Sequence, residues 1–270
     1  MTFVMDSFTR DGIAFPFQVL EESEAAEALR KFEKLEEAEG GAISPLTNFK
    51  PHLVVPWLSE LVRNPGILDV VEKAIGPNIL CWMSNFFTKD ANDRKFISWH
   101  QDSTYWELSS PEVVTAWVAL TPSRPENGCL QVVPGSHLLE QVPHRDTYDA
   151  DNMLSRGQQI AVDVDPSQVV DVVLEPGQMS LHHVRIFHGS EPNRSKSRRI
   201  GFAIRYIPTH MRQIGGRTTA LLVRGTDQYN NFDPEPIPRE QLSPDDIAFR
   251  NKAMERLDAV TFKGARAPRR

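Results

Sequence analysis

A series of short apolar segments, separated by turn signals, limits what this chain can fold into more than any other feature. The series begins after Gly76 and contains NILCWMSNFFTK, VVTAWVALTPS, GCLQVVPGSH, VVDVVLEPGQMSLHH and RRIGFAIRYIPT. Short segments that are rich in β-branched and aromatic residues, and that are bounded by Pro, Gly or Asn, are typical of strands. A run of such strands predicts a β-sandwich or a barrel.

Helical patterns flank the strand series. Residues 21–39 predict an exposed amphipathic helix that ends at Gly40. Residues 56–75 predict a second helical region, in which Asn64 caps NPGILDVVEKAI. A last helix is predicted after Ser243. We therefore predict a mainly β fold with flanking helices, whose core is a double-stranded β-helix of the jelly-roll or cupin-like kind.

The length of 270 residues is sufficient for one large β-rich domain. No internal repeat or low-complexity linker marks a boundary within it. We predict a single domain over residues 1–270, with a helical N-terminal part at 1–75, a jelly-roll core at about 76–210 and a C-terminal extension at 211–270.

Composition and charge narrow the classes of function. The formal net charge is −6, which indicates no nucleic-acid-binding surface. No run approaches the ~18 consecutive apolar residues of a membrane span, and the N-terminus lacks the pattern of a signal peptide. Cys81 and Cys129 lie in apolar runs, as buried free thiols do. We expect a cytoplasmic protein that acts on a small molecule, with no nucleic-acid or membrane partner.

The segment SWHQDSTYW places a histidine and a carboxylate two residues apart. On a strand, side chains at this spacing point to the same face, so His100 and Asp102 can converge while Gln101 turns away. Two histidines with one carboxylate suit non-haem Fe(II) and leave three coordination positions open. A polar strand end has the same pattern, so a metal site needs a second histidine.

The segment LHHVRIFHGSEPN is the densest source of that histidine. Strand alternation puts His182 and His188 on one face and His183 on the other. Either His182 or His188 can therefore complete the site, and the pattern alone does not choose between them.

The segment RRIGFAIRY places two arginines on one strand face. The residues that share this face are Arg199, Gly201, Ala203 and Arg205. Buried arginines between small residues are costly without a negative partner. An iron oxygenase must also hold its co-substrate. The far carboxylate of 2-oxoglutarate would be a negative partner of this kind, because it accepts two parallel hydrogen bonds from a guanidinium. The alternative is an outward basic edge, which Arg198 fits.

Together these segments resemble the phytanoyl-CoA dioxygenase family of Fe(II)/2-oxoglutarate oxygenases. The resemblance is carried by GPNILCWMSNFFTK, WHQD, TAWVALTPSRPENGCLQVVPGSH and HGSEPNRSKSRRIGFAIRY, in this order, over residues 76–206. It implies that His100, Asp102 and His188 are the Fe(II) ligands. It also implies that Arg199 binds the C5 carboxylate of 2-oxoglutarate.

The resemblance assigns further residues to the co-substrate site. Ser190 matches a serine beside the arginine, Trp117 matches an aromatic residue of the co-substrate pocket, and Asn85 lies where a co-substrate contact is found. Gln101 belongs to the same motif and is counted with the cofactor-binding residues, although its side chain should turn from the metal. Arg205 resembles a second arginine of related halogenases, and is predicted to bind substrate or to support the co-substrate.

Four other residues are candidate substrate contacts. Tyr105 and Trp106 follow the metal motif, and packing in the core is the alternative for these aromatic rings. Lys50 and His52, in NFKPHLV, precede the first segment of the resemblance, and a solvated loop is the alternative for both.

Asp102 bears on the reaction that the resemblance implies. In the related halogenases a small residue replaces this carboxylate and chloride binds the iron, whereas the carboxylate is present here. We expect a dioxygenase that uses Fe(II), 2-oxoglutarate and O2 to hydroxylate an unactivated C–H bond of a small, anionic metabolite or natural-product intermediate. The alternatives are a non-catalytic cupin-like metal- or ligand-binding protein, a halogenase-related oxygenase of another outcome, and a zinc hydrolase with the same three ligands.

Overall fold

The apolar segments form strands, and helices precede and follow them. The structure is a computed structural model that describes residues 2–263. The strands are β1 (Ile13–Gln18), β2 (Ile79–Lys89), β3 (Ile97–His100), β4 (Val114–Ala119), β5 (Leu130–Val133), β6 (His144–Asp146), β7 (Gln158–Ile160), β8 (Val170–Val172), β9 (Gln178–His183), β10 (Phe187–Ser190), β11 (Arg199–Pro208), β12 (Thr219–Arg224) and β13 (Asp233–Pro234). The helices are α1 (Thr2–Asp11), α2 (Glu22–Ala38), α3 (Pro45–Asn48), α4 (Pro56–Leu61), α5 (Pro65–Ile75) and α6 (Pro244–Thr261).

Two sheets contain most of these strands. Within residues 2–263 the larger sheet has the strand order β1-β9-β4-β11-β2-β12-β13, the smaller has β3-β10-β5-β8, and β6 pairs with β7. Trp117 and Ala203 of the larger sheet share a buried apolar cluster with Leu130 and Val132 of the smaller, so the two sheets pack face to face. This arrangement confirms the predicted mainly β fold with a jelly-roll core.

Helices cover the outer face of the larger sheet. Phe86 of β2 lies with its ring centroid 4.7 Å from that of Phe32 in α2 and 4.7 Å from that of Phe202 in β11. Ile67 of α5 belongs to the same apolar cluster. Because helices cover one face of β11 and the smaller sheet covers the other, the arginines on its inner face are buried.

The predicted helix starts are confirmed. The backbone N–H of Glu21 donates to the side chain of Glu24 at 2.8 Å, one half of a capping box before α2. Asn64 accepts a backbone hydrogen bond at 3.3 Å at the start of α5, and Ser243 accepts one at 3.2 Å at the start of α6. These caps satisfy N–H groups that have no partner inside a helix.

Strand β1 departs from the helical N-terminal part that the sequence predicts. It pairs antiparallel with β9, where Ile13 lies opposite His182, and it forms one edge of the larger sheet. Pro16 conceals this strand in the sequence, because a residue without an N–H argues against a central strand. An edge strand tolerates proline, since the N–H groups on its open side need no partner in the sheet.

Two findings bear on the membrane and thiol expectations. Across residues 2–263, none of the helices has both the length and the apolar character needed to cross a bilayer. Cys81 and Cys129 are buried free thiols, as predicted, and burial raises the pKa of Cys129 to about 12.

Lys50 and His52 belong to a buried ion cluster around Glu235. The Lys50 ammonium donates to the Glu235 carboxylate, and the His52 ring lies 3.0 Å from Glu235 Oε2 and 2.6 Å from Ser84 Oγ. Burial alone would raise the pKa of Glu235, but Lys50 and His52 lower it to about 2. Neither residue borders the cavities beside Asp102, which corrects the prediction that they contact substrate.

Replacing Glu235 with glutamine is expected to lower the free energy of unfolding by about 3–5 kcal/mol, because Lys50 would stay buried without its counter-ion. The matched control is Asp233→Asn, since Asp233 pairs with Arg217 and Arg256 at the exposed surface. The control should lose about 1 kcal/mol or less. Urea denaturation measures both, and equal losses would contradict a structural role for the buried cluster.

Candidate functional site

Antiparallel pairing of β3 with β10 places His100 directly opposite His188, with ring centroids 4.0 Å apart. Asp102 begins a short 3₁₀ turn after β3, and its Oδ1 lies 3.3 Å from His100 Nε2 and 3.9 Å from His188 Nε2. The three ligand atoms lie within 4.8 Å of one another. The three residues therefore converge, although a turn and not strand alternation brings Asp102 there.

Backbone carbonyls orient both imidazole rings. His100 Nδ1 lies 2.9 Å from the Ser98 carbonyl and 3.1 Å from the His188 carbonyl. His188 Nδ1 lies 3.0 Å from the Ile186 carbonyl. An Nδ1–H that donates to a carbonyl leaves the Nε2 lone pair free for a metal, and this is the usual support of a metal-binding histidine.

The charges of the cluster suit a divalent cation. Burial by itself would raise the pKa of Asp102, but the adjacent His100 ring and the positive charge of Arg205 hold it well below its usual range. Burial lowers the pKa of His188. An ionised carboxylate and a neutral imidazole are the forms that bind metals, so these donors fit Fe(II) or Zn(II).

His182 lies beside the cluster but outside it. Its ring centroid is 5.1 Å from that of His188, and the cluster found among the described residues contains His100, Asp102 and His188 without it. Of the two histidines that strand alternation left open, the geometry favours His188.

A cavity of about 50 Å³ extends from the cluster between the sheets, and Arg199 borders it. Arg199 is 2% exposed, and its Nε and one terminal nitrogen have no hydrogen-bond partner within residues 2–263. Burial lowers the pKa of Arg199 to about 10, which still leaves the guanidinium charged at neutral pH. A buried charge without a counter-ion is costly, so an anionic ligand fits this position.

Trp117 forms a wall of this cavity because Gly201 leaves room for its ring. A Cβ atom on Gly201 would lie 1.9 Å from the Trp117 ring. The Arg199 guanidinium carbon lies 5.4 Å from the centre of the same ring. Trp117, which the sequence predicts to line the co-substrate pocket, thus borders the cavity that contains Arg199. Any residue larger than Gly201 would collide with its ring.

Lys89 is a basic residue of this region that sequence reasoning missed. It lies opposite Arg199 in the β2–β11 pairing, and its ammonium donates to Ser190 Oγ at 2.6 Å and to the Glu191 carbonyl. Burial and the charge of Arg199 lower the pKa of Lys89 to about 6. Lys89 and Asn85 are four residues apart on β2, so strand alternation puts both side chains on the same inward face. This spacing was the sequence signal for Lys89. Ser190 borders the cavity and is held by this lysine.

A larger cavity of about 210 Å³ adjoins the smaller one. Asn85, Tyr105, Trp106 and Arg205 all border it, and Asp102 and Arg205 border both cavities. Asn85, predicted as a co-substrate contact, thus borders the larger cavity and not the one that contains Arg199. Arg205 donates to Asn85 Oδ1. The cavity therefore reaches from the Asp102 carboxylate to an aromatic wall.

Arg156, which no sequence signal indicated, also borders the larger cavity. Its guanidinium carbon lies 3.9 Å from the ring centre of Tyr105 and 5.1 Å from that of Phe262, and it donates to the Thr261 carbonyl. Tyr105 in turn donates to Asp146 at 2.7 Å. These contacts attach the end of α6 to the turn that carries Asp102.

Gln101 turns away from the cluster, as strand alternation predicts. It is fully buried, and its amide donates to the Arg185 carbonyl at 2.9 Å and accepts from the Val142 N–H at 2.9 Å. It borders neither cavity, which corrects its inclusion among the cofactor-binding residues.

Comparisons with known proteins identify the family of the chain. A family model described as phytanoyl-CoA dioxygenase (PhyH) matches residues 8–201. Among solved structures, the apo form of the non-heme monooxygenase ThoJ is similar, with a TM-score of 0.85 and 35% identity over 96% of this chain and 97% of that chain. CytC3 with Fe(II) and alpha-ketoglutarate has a TM-score of 0.66 and 25% identity over 90% of this chain and 98% of that chain.

A curated relative is the probable alpha-ketoglutarate-dependent hypophosphite dioxygenase of Stutzerimonas stutzeri. It is 31% identical over 159 residues, which are 57% of this chain and 55% of that protein. The chain spans about half the length of the curated relatives it matches. Because the family model matches well over half of the 270 residues, the chain belongs to the phytanoyl-CoA dioxygenase family.

Proposed function

We propose that the protein is a non-haem Fe(II)- and 2-oxoglutarate-dependent dioxygenase that hydroxylates an unactivated C–H bond of a small, anionic molecule. The observation that carries this proposal is one cavity that combines a buried His-Asp-His cluster with a buried arginine that has no counter-ion among residues 2–263. A metal-binding protein needs only the cluster. An oxygenase that uses a dicarboxylic co-substrate needs both.

In this proposal His100, Asp102 and His188 hold Fe(II) through two Nε2 atoms and one carboxylate, which leaves three coordination positions open. When bound, Fe(II) and 2-oxoglutarate together supply the oxidising chemistry with O2. The residues around them bind, orient and exclude water. Because Asp102 occupies the position that a halide would need, we expect hydroxylation and not halogenation.

The far carboxylate of 2-oxoglutarate is proposed to bind Arg199. This carboxylate would accept hydrogen bonds from the two guanidinium nitrogens that have no partner among the described residues. Ser190, held by Lys89, and Trp117, held over Gly201, border the same cavity and would fix the co-substrate beside Arg199.

The substrate is proposed to occupy the larger cavity. Trp106 and Tyr105 would pack against its apolar part. Arg205 would bind an acidic group of the substrate, because this arginine is buried and borders both cavities. Asn85 holds Arg205 in place through the hydrogen bond to its Oδ1.

We also propose a single domain that works in the cytoplasm. The domain proposal rests on the larger sheet, which takes β1 from the N-terminal part and β12 and β13 from the C-terminal extension. The proposed compartment rests on Cys81 and Cys129, which are free thiols, the usual state of cysteines where the surroundings are reducing.

Aerobic incubation with Fe(II), 2-oxoglutarate and a panel of small anionic metabolites tests the proposed reaction. We expect release of succinate that a substrate stimulates, with Fe(II) and not with Zn(II). A zinc hydrolase or a non-catalytic binding protein would release none with either metal. If 2-oxoglutarate does not bind and no candidate stimulates succinate release, the proposal is wrong.

His188→Ala is expected to abolish tight metal binding, because it removes one of three ligand atoms. The metal affinity should fall by more than the ~10–100-fold that is typical when a residue hydrogen-bonded to a metal ligand is removed. His182→Ala is the matched control, since this ring lies next to His188 without belonging to the cluster. Calorimetric titration with Ni(II) measures both affinities, and the opposite ranking would move the ligand to His182.

Arg199→Ala is expected to weaken 2-oxoglutarate binding by about a hundredfold or more, because a carboxylate in a buried site would lose its cation. The affinity for the metal alone should change little. Arg198→Ala is the control, since Arg198 points outward to Glu36 and Asp90. Titration of metal-loaded protein with 2-oxoglutarate distinguishes the variants, and an unchanged affinity in Arg199→Ala would remove Arg199 from the proposed site.

A further inference from the structure

Three neighbouring strands of the larger sheet present a row of polar side chains to the smaller cavity. Thr115 of β4 lies directly opposite Arg205 of β11 on one side and directly opposite His182 of β9 on the other. All three border the cavity, and they are 1%, 7% and 3% exposed, respectively. We call these three residues the polar row.

Each member of the polar row has a buried polar atom without a partner. Thr115 Oγ1, Arg205 Nε and His182 Nδ1 make no hydrogen bond within residues 2–263. Buried polar groups in folded proteins are nearly always hydrogen-bonded, and facing positions on adjacent strands bring side chains into contact range. Three such atoms in one row indicate a ligand that satisfies them together.

The atoms of the polar row indicate the chemistry of that ligand. Arg205 Nε can only donate, the Thr115 hydroxyl can donate, and His182 donates in one of its two neutral tautomers. Asp102 is the one carboxylate that borders this cavity among the described residues, and it is directed to His100 and His188. A row of donors around a buried guanidinium suits a carboxylate.

The polar row is separate from the arginine at the other end of the cavity. Arg199 and Arg205 are six residues apart on β11, roughly 20 Å along a strand that rises about 3.3 Å per residue. This separation exceeds the combined length of two arginine side chains. Two arginines this far apart on one strand therefore fit two carboxylates better than one.

We propose that His182, Thr115 and Arg205 form a second carboxylate-binding site, next to the metal ligands and distinct from Arg199. This inference rests on the proposed oxygenase function. The carboxylate has two sources, the keto-acid end of 2-oxoglutarate or the acidic group of the substrate, because Arg205 borders both cavities. If it belongs to the substrate, the oxidised carbon lies close to the acidic group.

The test uses Ni(II)-loaded protein, Thr115→Val and His182→Leu, and calorimetric titration with two probes. Oxalate chelates the metal as a keto acid does and is too short to reach Arg199, so it reports the co-substrate source. Acetate, titrated in the presence of saturating 2-oxoglutarate, reports the substrate source. Each variant should weaken one probe by about tenfold or more, the expected effect of losing a hydrogen bond to a charged group.

The control variant is Ser180→Ala. Ser180 lies on β9 two residues before His182, and its buried hydroxyl also has no partner within the described range, but it does not border the cavity. If Thr115→Val and His182→Leu weaken oxalate binding, and Ser180→Ala does not, the site belongs to the co-substrate. Weaker acetate binding alone would assign it to the substrate. Unchanged affinity for both probes, or an equal loss in Ser180→Ala, would overturn the proposal.

Failure of this inference is distinguishable from failure of the proposed function. The same titrations measure Ni(II) and 2-oxoglutarate binding by the unaltered protein, and loss of those would refute the oxygenase proposal itself. Thr115→Ser restores the hydroxyl and should recover affinity. Failure to recover would show that Thr115→Val acted through packing and would overturn the assignment of this residue.

Discussion

The antiparallel register that sets His100 opposite His188 is the constraint on which the rest of the site depends. A slip of β3 by one residue would turn His100 to the other face of the smaller sheet, away from His188, because strand side chains alternate. The register changes between His188 and Ser190, and both residues still border the same cavity. Irregular pairing of this kind re-aims side chains next to functional sites. His188 of the His-Asp-His cluster and Ser190 at the cavity of Arg199 are thus joined in one four-residue strand.

Buried positive charge is the second constraint. Arg199 and Arg205 both lie inward between the sheets, and Asp102 is the one carboxylate that borders the small cavity among the described residues. Without a metal and an anion, these charges oppose folding. With a divalent cation on Asp102 and a dicarboxylate between the arginines, each charge would have a partner. Binding of the proposed co-substrate would therefore offset the free-energy cost of burying these arginines without counter-ions.

Much of the fold and the metal cluster could be predicted, because the signals are local. Turn residues divide the strands, helix caps stand next to their helices, and the motif WHQD contains two of the three residues of the His-Asp-His cluster. Strand β1 was not predicted because it contains Pro16, which argues against a central strand. Its place at the edge of the sheet, where proline is tolerated, depends on the tertiary structure. Lys50 and His52 were misplaced because their partner, Glu235, is more than 180 residues away in the chain. Such pairings depend on tertiary packing and leave no local pattern.

The two cavities differ in how they are built, and this difference bears on selectivity. The smaller cavity is formed largely by paired strands, whose register fixes Trp117 and Arg199 against each other. The larger one is completed by the loop that carries Arg156 and by the end of α6. Loops tolerate change better than strands in register, so the substrate could differ between related chains while the co-substrate site is kept. The stacking of Arg156 on Tyr105 and Phe262 makes the C-terminal helix a wall of the cavity, and the shape of that wall would decide which molecule fits beside Asp102.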